Sequence, residues 1–209
     1  MLRQRVCTLP RVVNLTYLLA FTGGFVIMSL ELLGGRVLAP YFGSSIYVWG
    51  SIISVFMAAL SVGYLLGGRW SVIEPSYRRF GSIFIGGAIL MYPLVLMAEP
   101  LMEWVFNAIE DPRFGSLVAS VILFAIPTVI LGMISPYSVR LVVETVTHSG
   151  EVAGRLYFVS TLGSALGTLM TSFYFVLWFE INTILTGLSA TLALAGVIAL
   201  LAARRVQHR

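Results

Sequence analysis

Few residues in this chain could do chemistry, and most of them crowd two places. The first is Glu31–Ser45, E-L-L-G-G-R-V-L-A-P-Y-F-G-S-S, with Tyr47 and Trp49 just beyond it. An acid, Glu31, stands inside an apolar run, and a base, Arg36, follows about a turn and a half later. A charge in a hydrophobic segment is costly and by default marks a site or a buried pair. As a site, Glu31 would bind a cationic amine or exchange a proton. Tyr41, Tyr47 and Trp49 would then offer aromatic faces to an ammonium. As structure, Glu31 would pair with Arg36, bond to hydroxyls or reach for the interface, with Tyr47 and Trp49 as interfacial anchors. The second place holds Pro136, Tyr137, Arg140, Glu144, Gly154 and Arg155. Arg140 and Glu144 are spaced to pair on one helical face. With Arg69, Arg78 and Arg79, this group suits docking a soluble partner, latching the loops in one state, or plain salt bridging.

Other chemistry has little to work with. Cys7 is the single cysteine, so neither an internal disulfide nor a cysteine metal site can form. His148 and His208 lie far apart, without metal-ligand spacing. There is no nucleophile set beside a base. We therefore expect no catalytic residue, metal or cofactor.

The elements that must position these residues are membrane helices. The chain has 209 residues, 58% hydrophobic and 11% charged, with a mean hydropathy of +0.95. Soluble domains do not have this composition. Six segments are long enough to cross a bilayer, at about 20 residues each. They run over 14–38, 47–68, 80–98, 115–139, 154–178 and 181–203, between an N-terminal segment 1–13 and a basic tail 204–209. The run after Asn14 is too long for a signal-peptide core and lacks a cleavage site.

All the positive charge is arginine. Arg3, Arg5, Arg11, Arg69, Arg78, Arg79, Arg140, Arg155, Arg204, Arg205 and Arg209 fall on one side of this arrangement; Arg36 and Arg113 fall on the other. The positive-inside rule then makes both termini cytoplasmic, in a plasma or inner membrane. The basic balance is a topology signal and not a sign of nucleic acid. The third loop, with Glu99, Glu103, Glu110 and Asp111, and the turn at Glu180 give the other face an acidic character. That face is either an ordinary solvated surface or a vestibule that concentrates cations. Pro127, Gly132 and Pro136 make the fourth helix irregular, with Thr128 and Ser135 near enough to satisfy freed carbonyls. The second and fifth helices are rich in small residues, which suit close packing or a narrow polar path.

Helix 2 also resembles helix 5. Gly50 falls on Gly154, Val55 on Val159, Gly63 on Gly167 and Leu65 on Leu169. A period of three helices reverses direction with each unit, so the chain reads as a 3+3 inverted repeat. Transporters with such repeats hold their sites near the repeat interface. The turn G-G-R-W…R-R-F-G resembles the loop between helices 2 and 3 of major facilitator transporters, and six helices make half of that fold.

Longer motifs carry a second resemblance. E-L-L-G-G-R-V-L-A-P-Y-F-G-S-S-I-Y-V-W-G-S-I, G-Y-L-L-G-G-R, L-G-M-I-S-P-Y-S-V-R-L-V and V-A-G-R-L-Y-F-V-S-T-L-G-S-A-L-G-T-L resemble the membrane half of spermidine-synthase-like membrane proteins. The likeness runs from about Phe21 to Leu177. In fused members a soluble aminopropyltransferase-like domain follows the last helix. This chain shows no strand–glycine-loop–helix unit, so the resemblance does not imply aminopropyl transfer. The catalytic partner is then a separate polypeptide, lies beyond Arg209, or is not used. The resemblance implies two roles. One is binding or transport of a polyamine-like organic cation, with Glu31, Arg36, Tyr41, Tyr47 and Trp49 at the site. Six helices are few for a complete path, so this role calls for a homodimer. The other is a non-catalytic anchor or accessory subunit for an aminopropyltransferase-like protein or a larger membrane complex.

Overall fold

An apolar chain without water to bond its backbone must close its hydrogen bonds within each segment, and helices do this. A computed structural model describes residues 10–72, 75–143 and 149–207. Among them the elements are helices: α1 (Pro10–Phe42), α2 (Ile46–Val72), α3 (Tyr77–Ala108), α4 (Pro112–Gly132), α5 (Ile134–Val142), α6 (Ser149–Met170), α7 (Val176–Trp178) and α8 (Ile181–Gln207). A π-helical turn, Thr171–Phe175, joins α6 to α7. Six spans are long and apolar enough to cross a bilayer: α1, α2, α3, α4 with α5, α6 through α7, and α8. An even number of crossings brings the start of α1 and the end of α8 to the same end of the bundle. We refer to it as the terminal end and to the opposite one as the far end.

The helix ends follow local rules. Gly43, at φ 77°, takes the left-handed turn that closes α1, and its N–H bonds to the Ala39 carbonyl at 2.9 Å. Asp111 caps α4 by accepting from the Arg113 N–H at 2.9 Å, with Pro112 at the first helical position. Ser76 caps α3 by accepting from the Arg79 N–H at 3.3 Å.

The third and fourth spans differ from expectation. α3 continues through Pro100 to Ala108, so Glu99 and Glu103 belong to its last turns and not to a loop. Ala98, Met102 and Val105 bury one face there, while both glutamates stay exposed on the other. The fourth span breaks between Gly132 and Ile134, whereas Pro127 stays inside α4. Pro136 has no N–H for the Gly132 carbonyl, and the helix restarts one residue on. The Thr128 hydroxyl does not relieve this: it is buried and makes no hydrogen bond among the described residues.

Three helix pairs dominate the packing: α1 along α6, α2 along α4, and α3 along α8. Glycines set two of these contacts. Gly63 of α2 lies against the Val129 carbonyl of α4, and Gly167 of α6 lies against the Phe25 carbonyl of α1. At either position a β-carbon would run into the facing backbone, so small residues let these helices touch. The two contacts are copies of each other. Position 63 goes to 167 and position 25 to 129 by one shift of 104, the shift that aligns helix 2 with helix 5. Exchanging the first three spans with the last three turns the α1–α6 pair into the α4–α2 pair and leaves the α3–α8 pair unchanged. The core between them is aromatic, with Phe56, Phe80, Phe84, Phe124 and Tyr137 fully buried.

Candidate functional site

The face of α1 that carries Gly24, Ile27 and Met28 opens on a cavity of about 400 Å³. α2 contributes Leu60 and Tyr64, α4 contributes Leu131 and Gly132, α5 contributes Ser135, and α6 contributes Tyr157, Ser160, Thr161 and Ser164. The shift of 104 pairs Ile27 with Leu131, Met28 with Gly132 and Leu60 with Ser164. The cavity thus lies at the interface between the two halves of the repeat. Its backbone is irregular on one side because the fourth span breaks at Gly132. α2 and α6 pack on other helices and not along each other, which leaves the cavity open sideways between them. Tyr64 and Tyr157, both about half exposed, stand at that opening. The hydroxyls of Tyr64, Tyr157 and Ser135 make no hydrogen bond among the described residues, whereas Ser164 Oγ donates to the Ser160 carbonyl at 3.2 Å.

Glu31 follows one turn beyond Ile27 and Met28 on the same face of α1. It is half-buried and has neither an ion pair nor a hydrogen bond among the described residues. The expected pairing with Arg36 is absent. Arg36 is exposed and lines a second cavity of about 520 Å³ at the far end, with Tyr41, Glu99, Glu180 and Asn182. Five positions along a helix turn a side chain well over a third of the way round, so the two residues leave α1 in different directions. Tyr41 packs edge-to-face on Phe106, 6.3 Å between centroids. Trp49 lays its ring against Gly35, one turn beyond Glu31. Tyr47 stands apart from both cavities, and the Arg113 guanidinium lies over its ring, 4.8 Å from the centroid.

The second group predicted from the sequence divides at the terminal end. Tyr137 is fully buried and offers no surface to a docked partner. It accepts from the Ser76 N–H at 3.1 Å, donates to the Ser76 carbonyl at 3.4 Å, and stacks on Phe80 at 5.7 Å. Beside it the Tyr77 hydroxyl bonds to Thr16 Oγ1 at 2.5 Å. These bonds tie α5 and α1 to the start of α3. Arg69, Arg78 and Arg140 are exposed and Arg79 is half-buried. Arg155 pairs with Glu151 at 2.7 Å, both exposed. Glu144 lies outside the described residues. The sequence reading missed Glu151, although acid and base four apart on one helix is a legible signal. It also missed Tyr64 and Tyr157. The small residues of α6 that suited a polar path include Ser160 and Ser164, which line the cavity, but that reading did not extend to the two tyrosines.

A half-buried acid with no counter-ion among the described residues, aromatic faces and hydroxyls without hydrogen bonds are groups of the kind that hold an ammonium. No family model, curated protein or solved structure matches this chain.

Proposed function

We propose that this membrane protein binds a small organic cation at Glu31 and the adjoining cavity and carries it across the bilayer. One observation carries the reading: an acid in a membrane helix has no partner among the described residues and stands one turn beyond Ile27 and Met28, which line a cavity between helices related by the repeat. Inverted repeats in transporters hold their sites at such interfaces. The resemblance to spermidine-synthase-like membrane proteins makes an amine the natural solute, a polyamine-like one included. The arginine distribution orients the terminal end toward the cytoplasm. Glu99, Glu103, Glu110, Asp111 and Glu180 would then draw cations to the outer face.

The test is equilibrium binding of radiolabelled spermidine and simple amines to the purified protein in nanodiscs. Glu31→Gln is expected to weaken binding about tenfold or more, the effect of removing one charge-assisted bond, while size-exclusion and helicity stay unchanged. Equal affinity in the variant would sink the proposal. A second reading, an accessory subunit for an aminopropyltransferase-like chain or a larger complex, draws on the exposed Arg69, Arg78 and Arg140. It expects a stoichiometric partner in mild detergent, lost on reversing those three charges.

A further inference from the structure

We infer that the amine this cavity takes carries a single positive charge on a largely apolar body, and that it enters from the bilayer between α2 and α6. This rests on the reading of Glu31 as the cation's partner and narrows it.

The first argument is a count of charges. Glu31 is the only acid of α1, and among the described residues no acid or base lines the cavity itself. Glu99 and Glu180 line the other cavity, at the far end. One carboxylate neutralises one ammonium. A second ammonium of a spermidine-like solute would sit among Ile27, Met28, Leu60 and Leu131 without a counter-ion, which is costly in a membrane interior. Those four side chains instead fit a hydrocarbon body, and about 400 Å³ is the size of a small-molecule pocket.

The second argument is the route. Along the bundle axis, packed aromatics follow the lining residues in both directions. Toward the far end, Phe124 lies against Gly34 and Trp49 against Gly35, in the turn beyond Glu31. Toward the terminal end, Tyr137 is fully buried, held to Ser76 and stacked on Phe80. Sideways, α2 and α6 are not packed along each other, and the half-exposed rings of Tyr64 and Tyr157 stand at the gap. With this face turned to lipid and any second copy seated elsewhere, a solute reaches the opening through the bilayer, which requires an apolar body. Tyrosine faces at the gap suit the passage of its ammonium.

The test compares 2-phenylethylamine with spermidine on the full chain in nanodiscs, with empty nanodiscs subtracted. Phenylethylamine is expected to bind about tenfold or more tightly than spermidine. Glu31→Gln should abolish that preference and Glu31→Asp should retain it. In a Cys7→Ser background, Tyr64→Cys with Tyr157→Cys bridged by a bis-maleimide is expected to slow phenylethylamine association about tenfold or more relative to the unbridged variant. Tighter, Glu31-dependent binding of spermidine overturns the inference while the proposed function stands. Indifference of both amines to Glu31→Gln overturns the function and the inference together. An association rate unaffected by the bridge overturns lateral entry.

Discussion

Tyr137 and Glu31 show how one side chain acquires a meaning that its type alone does not carry. From the sequence, Tyr137 near the end of the fourth span belongs to a group suited to docking a partner or latching the loops, yet its hydroxyl is both acceptor and donor for Ser76. Tyr137→Phe keeps the ring that stacks on Phe80 and leaves the Ser76 N–H without that partner. An unmet donor of a part-buried bond costs about 1 kcal/mol, the low end of the roughly 1–3 kcal/mol of a fully buried one. We expect Tyr137→Phe to lower stability in detergent-denaturation titrations by about that amount. Amide exchange should accelerate first at Ser76 and Tyr77. Uniform exchange across the chain would show that the bond does not fasten this end. Glu31 is the opposite case: its type announced a site, and the lack of an Arg36 partner leaves the carboxylate available.

Among the helices, four glycines in two repeat pairs separate contact from composition. Gly63 and Gly167 each face a carbonyl of a neighbouring helix, whereas Gly50 and Gly154 have no atom within 4 Å of an added β-carbon. Gly63→Val and Gly167→Val are expected to destabilise the fold by at least about 2 kcal/mol each, the scale of overpacking a tight contact. Gly50→Ala and Gly154→Ala should be neutral or stabilising by up to about 1 kcal/mol, because alanine favours a helix. Unfolding titrations of the four variants check this. Equal effects within each pair would support an energetic repeat as well as a geometric one. The break at Gly132 belongs to the same scale. The sequence marks the fourth span as irregular through Pro127, Gly132 and Pro136, but α4 absorbs Pro127 and breaks only before Pro136.

For the molecule as a whole, an even number of spans brings the start of α1 and the end of α8 to one end. Eleven of the thirteen arginines fall toward it by the same counting. Reporter fusions at Met1 and Arg209 are therefore both expected to be active in the cytoplasm. An impermeant thiol reagent should reach Asn182→Cys only from outside the cell, in a Cys7→Ser background. Labelling from inside would reverse the orientation and make the acidic far end cytoplasmic.

Hydropathy alone was enough for six helices, since any chain this apolar must satisfy its backbone within itself. Spacing alone was enough for the internal match of Gly50, Gly63 and Leu65 with Gly154, Gly167 and Leu169. Both are local or periodic properties, and both are written along the chain. The surroundings of Glu31, Arg36, Tyr47 and Tyr137 were not legible in the same way. They depend on how far each helix is rotated and which neighbour it touches. Those quantities are set where Gly63 meets Val129 and Gly167 meets Phe25, residues 66 and 142 positions apart. A side chain's direction around its helix follows from such distant contacts. Only the packed bundle could therefore set Arg36 in one cavity, leave Glu31 beside another, and open that second cavity between α2 and α6.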